Sequence, residues 1–126
     1  MALLLDTQAF LWWVSDDKRL TRPARRAIER DDCLVSLASC WEMAIKIGLQ
    51  KLHVAGTLDR FVQQQLVRNG FTLLPISLEH TAAVAGLPFH HRDPFDRLLV
   101  AQAIVEELKI VSSDDVFEKY RVKRVW

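Results

Sequence analysis

Cysteine, glycine and proline are all scarce in this chain of 126 residues, with counts of two, four and four. Two thiols cannot frame a disulfide scaffold. Cys33 and Cys40 form no CxxC pair and lie near no spaced histidine cluster, so a four-ligand zinc site is excluded as well. So little glycine and proline excludes collagen-like and low-complexity chains, and the apolar content excludes disorder. Net charge is nearly absent too: 17 basic against 16 acidic residues leave +1. That balance excludes nucleic-acid binding by bulk charge alone, but not nucleic acid as a substrate. No uncharged apolar run approaches the roughly 18 residues that cross a bilayer. The start, Met1-Ala-Leu-Leu-Leu-Asp6, has no basic lead, and Asp6 cuts its apolar run short. A soluble cytoplasmic protein with free thiols and no membrane partner is expected.

Half of the residues are hydrophobic, enough for one domain that buries roughly two-thirds of its unfolded-chain surface. No linker or repeat divides the chain, so residues 1–126 read as a single domain. Short apolar runs at Ala2–Leu5, Cys33–Leu37, Phe71–Leu74, Ile110–Ser112 and Val122–Trp126 read as strands. Helical patterns fall between them. Thr7–Val14 follows the first strand, and Thr21-Arg22-Pro23 opens a second helix. Ser39 opens a third through about Leu49, and the stripe Leu58, Phe61, Val62, Leu66 stops at Asn69-Gly70. Ser77 opens a helix through Ala85, and Asp93-Pro94 opens the most apolar one, Phe95–Leu108. Helices between short, non-alternating strands imply an α/β fold: a short, mainly parallel sheet covered on both faces. In such sheets ligands bind beyond the carboxyl ends of the strands.

Carboxylates stand at those ends. Asp6 comes directly after the first strand and Asp114 after the fourth; Glu42 lies in the helix after the second strand, and Asp96 opens the long apolar helix. Each has an ordinary structural role available. Ser39 and Glu42 match a capping box, Asp93 before Pro94 is a helix cap, and Asp6 and Asp114 can each cap the next helical turn. Four converging carboxylates would nevertheless repel and raise one another's pKa values, unless a hard divalent cation holds them. Oxygen ligands suit Mg²⁺ or Mn²⁺, and the matching reaction is phosphodiester hydrolysis by metal-activated water.

Four segments in order then carry a family likeness: Leu3-Leu4-Leu5-Asp6-Thr7, Ser36–Lys46 with Trp41-Glu42, His91-Arg92-Asp93-Pro94-Phe95-Asp96-Arg97, and Val111-Ser112-Ser113-Asp114. Over almost its whole length the sequence resembles PIN-domain ribonucleases, specifically the toxin components of VapBC-type toxin–antitoxin pairs. The resemblance implies a three-layer α/β/α fold and an Mg²⁺- or Mn²⁺-dependent endoribonuclease. It carries the acidic set onto Asp6, Glu42, Asp96 and Asp114, with Asp6 and Asp96 the firmest metal ligands. Thr7 would orient Asp6 or its water, and Ser112 and Asp93 would give support from behind, Asp93 as a cap first. Asp115 adjoins Asp114, and the fourth acid is one of the two. The implied partners are RNA of the tRNA or rRNA class, a cognate antitoxin and a second copy in a homodimer.

Lys46, Arg92 and Arg97 are candidates for RNA phosphates, beside His90 and His91, which read more simply as solvated. Trp41 is expected in the core, and one of the adjacent Trp12 and Trp13 in an exposed apolar groove that takes a partner. Gln8 excludes a DxD phosphatase, and the scattered glycines exclude a phosphate-binding Gly-rich loop. The remaining alternative is a non-catalytic PIN-like module that binds RNA or protein.

Overall fold

β1 (Leu3–Leu5) is the middle strand of a five-stranded sheet of order β3-β2-β1-β4-β5, in a computed structural model that describes residues 2–126. The other strands are β2 (Cys33–Ser36), β3 (Thr72–Leu74), β4 (Lys109–Val111) and β5 (Arg124–Val125), and every pairing is parallel. Leu5 sits opposite Val35 on one side and Val111 on the other. The chain therefore builds outward from β1 to β3, then crosses back to place β4 on the opposite flank. That reversal makes β1/β4 the switch point, where a crevice opens at the strand ends.

Among the described residues six helices cover the sheet: α1 (Thr7–Val14), α2 (Arg22–Arg30), α3 (Leu37–Gly48), α4 (Leu58–Asn69), α5 (Leu78–Ala85) and α6 (Pro94–Glu106). Side chains alternate across a strand, so Leu3 and Leu5 face one helical layer and Leu4 the other. The first layer contains Phe10, Ala24, Ile28, Met43, Val62 and Phe71. The second contains Leu99, Val100, Ala103, Phe117 and Tyr120. With both faces buried, the strands carry no polar alternation, which is why they read as plain apolar runs.

Element starts follow local capping. Asp6 Oδ1 accepts from Ala9 N–H at 2.7 Å to open α1, and Thr21 accepts from Ala24 N–H at 3.3 Å to open α2. Asp93 Oδ1 accepts from Phe95 and Asp96 N–H at 2.8 and 3.3 Å, with Pro94 in the first position of α6. α3 differs from its expected start. Ser36, not Ser39, is the cap and accepts from Ala38 N–H at 2.9 Å, so no Ser39–Glu42 capping box forms. The last strand shrinks to two residues, and a 3-10 turn at Asp115–Lys119 precedes it.

Gln102 joins the layers from inside. Fully buried in α6, it accepts from Ser36 Oγ at 2.5 Å and donates to Pro75 O at 3.3 Å. Gln102→Ala leaves a cavity, strips the buried Ser36 hydroxyl of its acceptor and removes the donor to Pro75 O. It should destabilise the fold by about 2–4 kcal/mol in urea unfolding.

Candidate active site

Four elements contribute carboxylates to one cavity of about 180 Å³ at the carboxyl end of the sheet, lined by Asp6, Thr7, Gln8, Glu42, Lys46, Asp96, Ser113 and Asp114. Asp6 leaves β1 as the α1 cap, and Asp96 sits in the first turn of α6. Glu42 comes from the second turn of α3. Asp114 leaves β4 and caps the 3-10 turn through Val116 N–H at 3.0 Å. Asp115 is the exposed first residue of that turn and does not line the cavity. The geometry thus separates the two neighbours.

Polar neighbours hold the acids. Thr7 Oγ1 donates to Glu42 Oε1 at 2.5 Å, and Lys46 Nζ lies 3.3 Å from Glu42 Oε2. Thr7 therefore orients Glu42 rather than Asp6. The buried Ser112 hydroxyl accepts from Asp114 N–H at 3.0 Å and hydrogen-bonds the Asp6 carboxylate.

Electrostatics mark the site as one that holds charge at an energetic cost. Burial pushes the Asp6 carboxyl up to about 6, reinforced by Glu42 and Asp114 and opposed by the Ser112 and Ala9 hydrogen bonds. Burial likewise raises Asp96 to about 7, with Asp93, Asp6 and Glu42 adding and His91 opposing. Among the described residues Lys46 is the one cation on the cavity wall, and it is engaged with Glu42. An array of hard carboxylate oxygens whose ionised forms lack compensation fits a small divalent cation such as Mg²⁺ or Mn²⁺.

A PIN-domain model matches residues 3–123 of the sequence. The chain belongs to the PIN-domain family. Ribonuclease VapC22 of Mycobacterium tuberculosis is 30% identical, and the alignment covers 98% of each chain. Among solved structures the fold is similar to VapBC2 from Rickettsia felis bound to a promoter DNA fragment, with TM-score 0.71 and 14% identity over 98% of this chain and 97% of that one. It is also similar to DNA-bound VapBC from Salmonella typhimurium, with TM-score 0.66 and 15% identity over 98% and 96%.

Within this PIN domain, several expected placements change. Arg97 does not reach a substrate. It is 6% exposed, and its guanidinium donates to Pro88 O at 2.9 Å and to Val84 O and Leu87 O at 3.3 Å each, with the Phe89 ring 4.2 Å away. Its sequence position beside Asp96 suggested the crevice, but one helical step turns it some 100° away, under the loop before α6. Arg92, by contrast, is exposed and makes no ion pair among the described residues. Trp41 is 60% exposed rather than in the core, edge-on to Phe95 at 5.3 Å. α3 buries Ser39 and Met43, and Trp41 lies midway between them, about 200° round the helix from either.

Neither Trp12 nor Trp13 stands free. Trp12 packs between Arg19 and Trp126, and Trp13 packs on Phe71 and donates to Asn69 Oδ1 at 3.0 Å. Trp12 does line a hollow of about 340 Å³ with Leu11, Leu52 and Phe61. His91, read from the sequence as solvated, instead enters the crevice, with its Nε2 2.9 Å from Asp96 Oδ2 and buried. Its position two residues before a capping aspartate was the available signal.

The raised carboxyls set a pH dependence. Their folded values lie above the unfolded ones, so the folded state holds extra protons between about pH 4 and 7. Their contribution to the stability of the metal-free fold therefore falls as pH rises through that range. In EDTA, Asp6→Asn should be more stable than the parent at pH 8, on the order of 2–3 kcal/mol, and the two should converge near pH 4. Urea unfolding at both pH values measures this.

Proposed function

We propose that this PIN domain is an endoribonuclease dependent on Mg²⁺ or Mn²⁺, acting as the toxin of a VapBC-type pair. The observation that carries the reading is the gathering of Asp6, Glu42, Asp96 and Asp114 around one cavity, two of them held well above the ordinary carboxylate range. The likeness to Ribonuclease VapC22 supports the substrate class. Asp6 and Asp96 would be the firmest ligands, with Glu42 and Asp114 completing the site directly or through water. When bound, the ion supplies a water of lowered pKa and neutralises charge developing on the phosphate.

The remaining work falls to the chain itself. The Ala9 N–H and Ser112 hydroxyl fix Asp6, the Asp93 cap fixes the first turn of α6, and Thr7 with Lys46 fixes Glu42 from both of its oxygens. Arg92, exposed at the mouth of α6, is positioned to meet RNA phosphates. tRNA or rRNA is the proposed substrate class, and the cytoplasm the proposed location. No helix among the described residues is long and apolar enough to cross a membrane.

The antitoxin partner has a candidate surface on α3. Leu37, Trp41, Ile45 and Leu49 recur every four residues and are 38%, 60%, 40% and 60% exposed, an apolar stripe of the kind that takes an amphipathic segment. The solved neighbours of this fold include VapBC complexes, which is consistent with such a partner. A homodimer is proposed as the working assembly.

Two measurements test the reading. Incubation with mixed RNAs should give Mg²⁺- or Mn²⁺-dependent internal cleavage that EDTA abolishes. Asp6→Asn or Asp96→Asn should lower its rate about a hundredfold or more, whereas Asp115→Asn should leave it within about twofold. Cleavage that survives chelation would overturn the metal-nuclease reading. Leu49→Arg should weaken the complex with a cognate antitoxin about tenfold or more by calorimetry, with RNA cleavage unchanged.

A further inference from the structure

Four cations outside the acidic cavity have no role in the metal-nuclease reading. Lys119, Arg121 and Lys123 alternate with Tyr120 and Val122, which pack into the second apolar layer, and all three are exposed. Lys109 joins them from β4, because Ile110 N–H donates to Lys123 O at 2.9 Å. None of the four makes an ion pair among the described residues. Their neighbour Arg124, by contrast, is taken up by Glu118 at 3.1 Å and by Ser112 O at 3.0 Å.

These cations border two hollows of about 420 Å³ each, which meet at Ile104 and Arg121. Lys119 and Tyr120 line the first; Lys109 and Lys123 line the second, with Glu107 as its one acid. Four positive groups to one negative is a local imbalance that the net charge of +1 conceals. α2 shows the contrast. Arg25 lies 2.9 Å from Asp16 and Arg30 3.7 Å from Asp31, so its arginines are interleaved with acids.

The hollows adjoin the acidic cavity. Tyr120 lines the first hollow, and its hydroxyl accepts from the N–H of His91, whose ring reaches Asp96. From Asp114 back to Lys109 the chain spans at most about 18 Å, roughly five steps of a stacked strand at about 3.4 Å each. A strand with one phosphate at the acids therefore has further phosphates within reach of the hollows. A protein partner needs a central apolar or aromatic anchor. Here the exposed apolar side chain is Ile104 at 37%, against Trp41 at 60% on α3. A polar, strongly positive face suits nucleic acid instead.

We propose that Lys109, Lys119, Arg121 and Lys123 form a phosphate-binding surface that holds the RNA strand outside the acidic cavity. The proposal rests on the nuclease reading for the identity of the strand, and adds the residues that grip it beyond the reacting phosphate. Phosphate contacts carry no base identity, so this surface sets affinity and register and leaves base choice to other contacts.

The triple variant Lys119→Gln, Arg121→Gln, Lys123→Gln tests it, with circular dichroism to check folding. Fluorescence anisotropy with a labelled single-stranded RNA of about 12 nucleotides, in EDTA, should show affinity lowered about tenfold or more. The slope of log affinity against log salt should become shallower by about 2. With Mn²⁺, KM for RNA cleavage should rise about tenfold while kcat stays within about twofold. Lys119→Arg, Arg121→Lys, Lys123→Arg keeps the charges and should recover most of the affinity. A control triple, Lys18→Gln, Arg22→Gln, Arg26→Gln, removes equal charge from exposed positions elsewhere and should change affinity by about twofold at most.

RNA affinity and KM unchanged in the first triple, or lowered equally in the control, would overturn the surface and leave the nuclease reading intact. Unchanged RNA affinity with a weakened antitoxin complex would overturn it in favour of an acidic protein partner. A parent that binds RNA through these cations but cleaves none with Mn²⁺ would support the surface and overturn the nuclease reading.

Discussion

Mutual repulsion among four carboxylates in one small cavity is the constraint around which the rest of this molecule is arranged. Left to themselves, Asp6, Glu42, Asp96 and Asp114 would spread into solvent, where their charges are hydrated. Burial removes that option, and it contributes most to the raised pKa values of Asp6 and Asp96. A few donors keep them in place: the Ala9 N–H and the Ser112 hydroxyl on Asp6, and the Thr7 hydroxyl and Lys46 on Glu42. None of these donors neutralises the whole set, and the shortfall in positive charge gives the site its proposed appetite for a divalent ion.

The two apolar layers make that concentration of charge tolerable. β1 is buried completely on both faces, between Phe10 and Met43 on one side and Leu99 and Phe117 on the other. A strand so confined delivers Asp6 to one spot, and the parallel pairing with β4 delivers Asp114 beside it. Gln102 and Arg97 serve the same end from within α6. Each is a polar side chain that fastens loops and strand ends instead of touching substrate. The penalty of burying them is offset by saturating their hydrogen bonds with backbone carbonyls and a serine hydroxyl.

Much of this was legible in the order of residues. The five strands, the six helices and their sequence are visible because apolar runs, caps such as Asp93-Pro94 and the stop at Asn69-Gly70 are local signals. The acids at element ends were visible for the same reason. Two of the misreadings concern direction about a helix axis. Trp41 was expected in the core as an apolar aromatic, but α3 turns it outward, about 200° round from the buried Ser39 and Met43. Adjacency to Asp96 was mistaken for shared direction in Arg97, although consecutive side chains diverge by about 100°. His91 was read as solvated because its surroundings lie in Asp114, twenty-three residues on, and in Tyr120, which no local pattern connects to it.

By itself, then, the sequence determined the α/β class, the element order and the candidate acids, since each depends on neighbours within a few positions along the chain. Only the tertiary structure decided which charged groups face the cavity and which are absorbed into the scaffold. It separated Asp114 from Asp115, sent Arg97 inward, turned Trp41 outward and brought His91 between two carboxylates. Those choices come from the sheet order and from the angle at which each helix docks. Both are set by packing between residues far apart in sequence, where the net charge of +1 and the motif spacings carry no information.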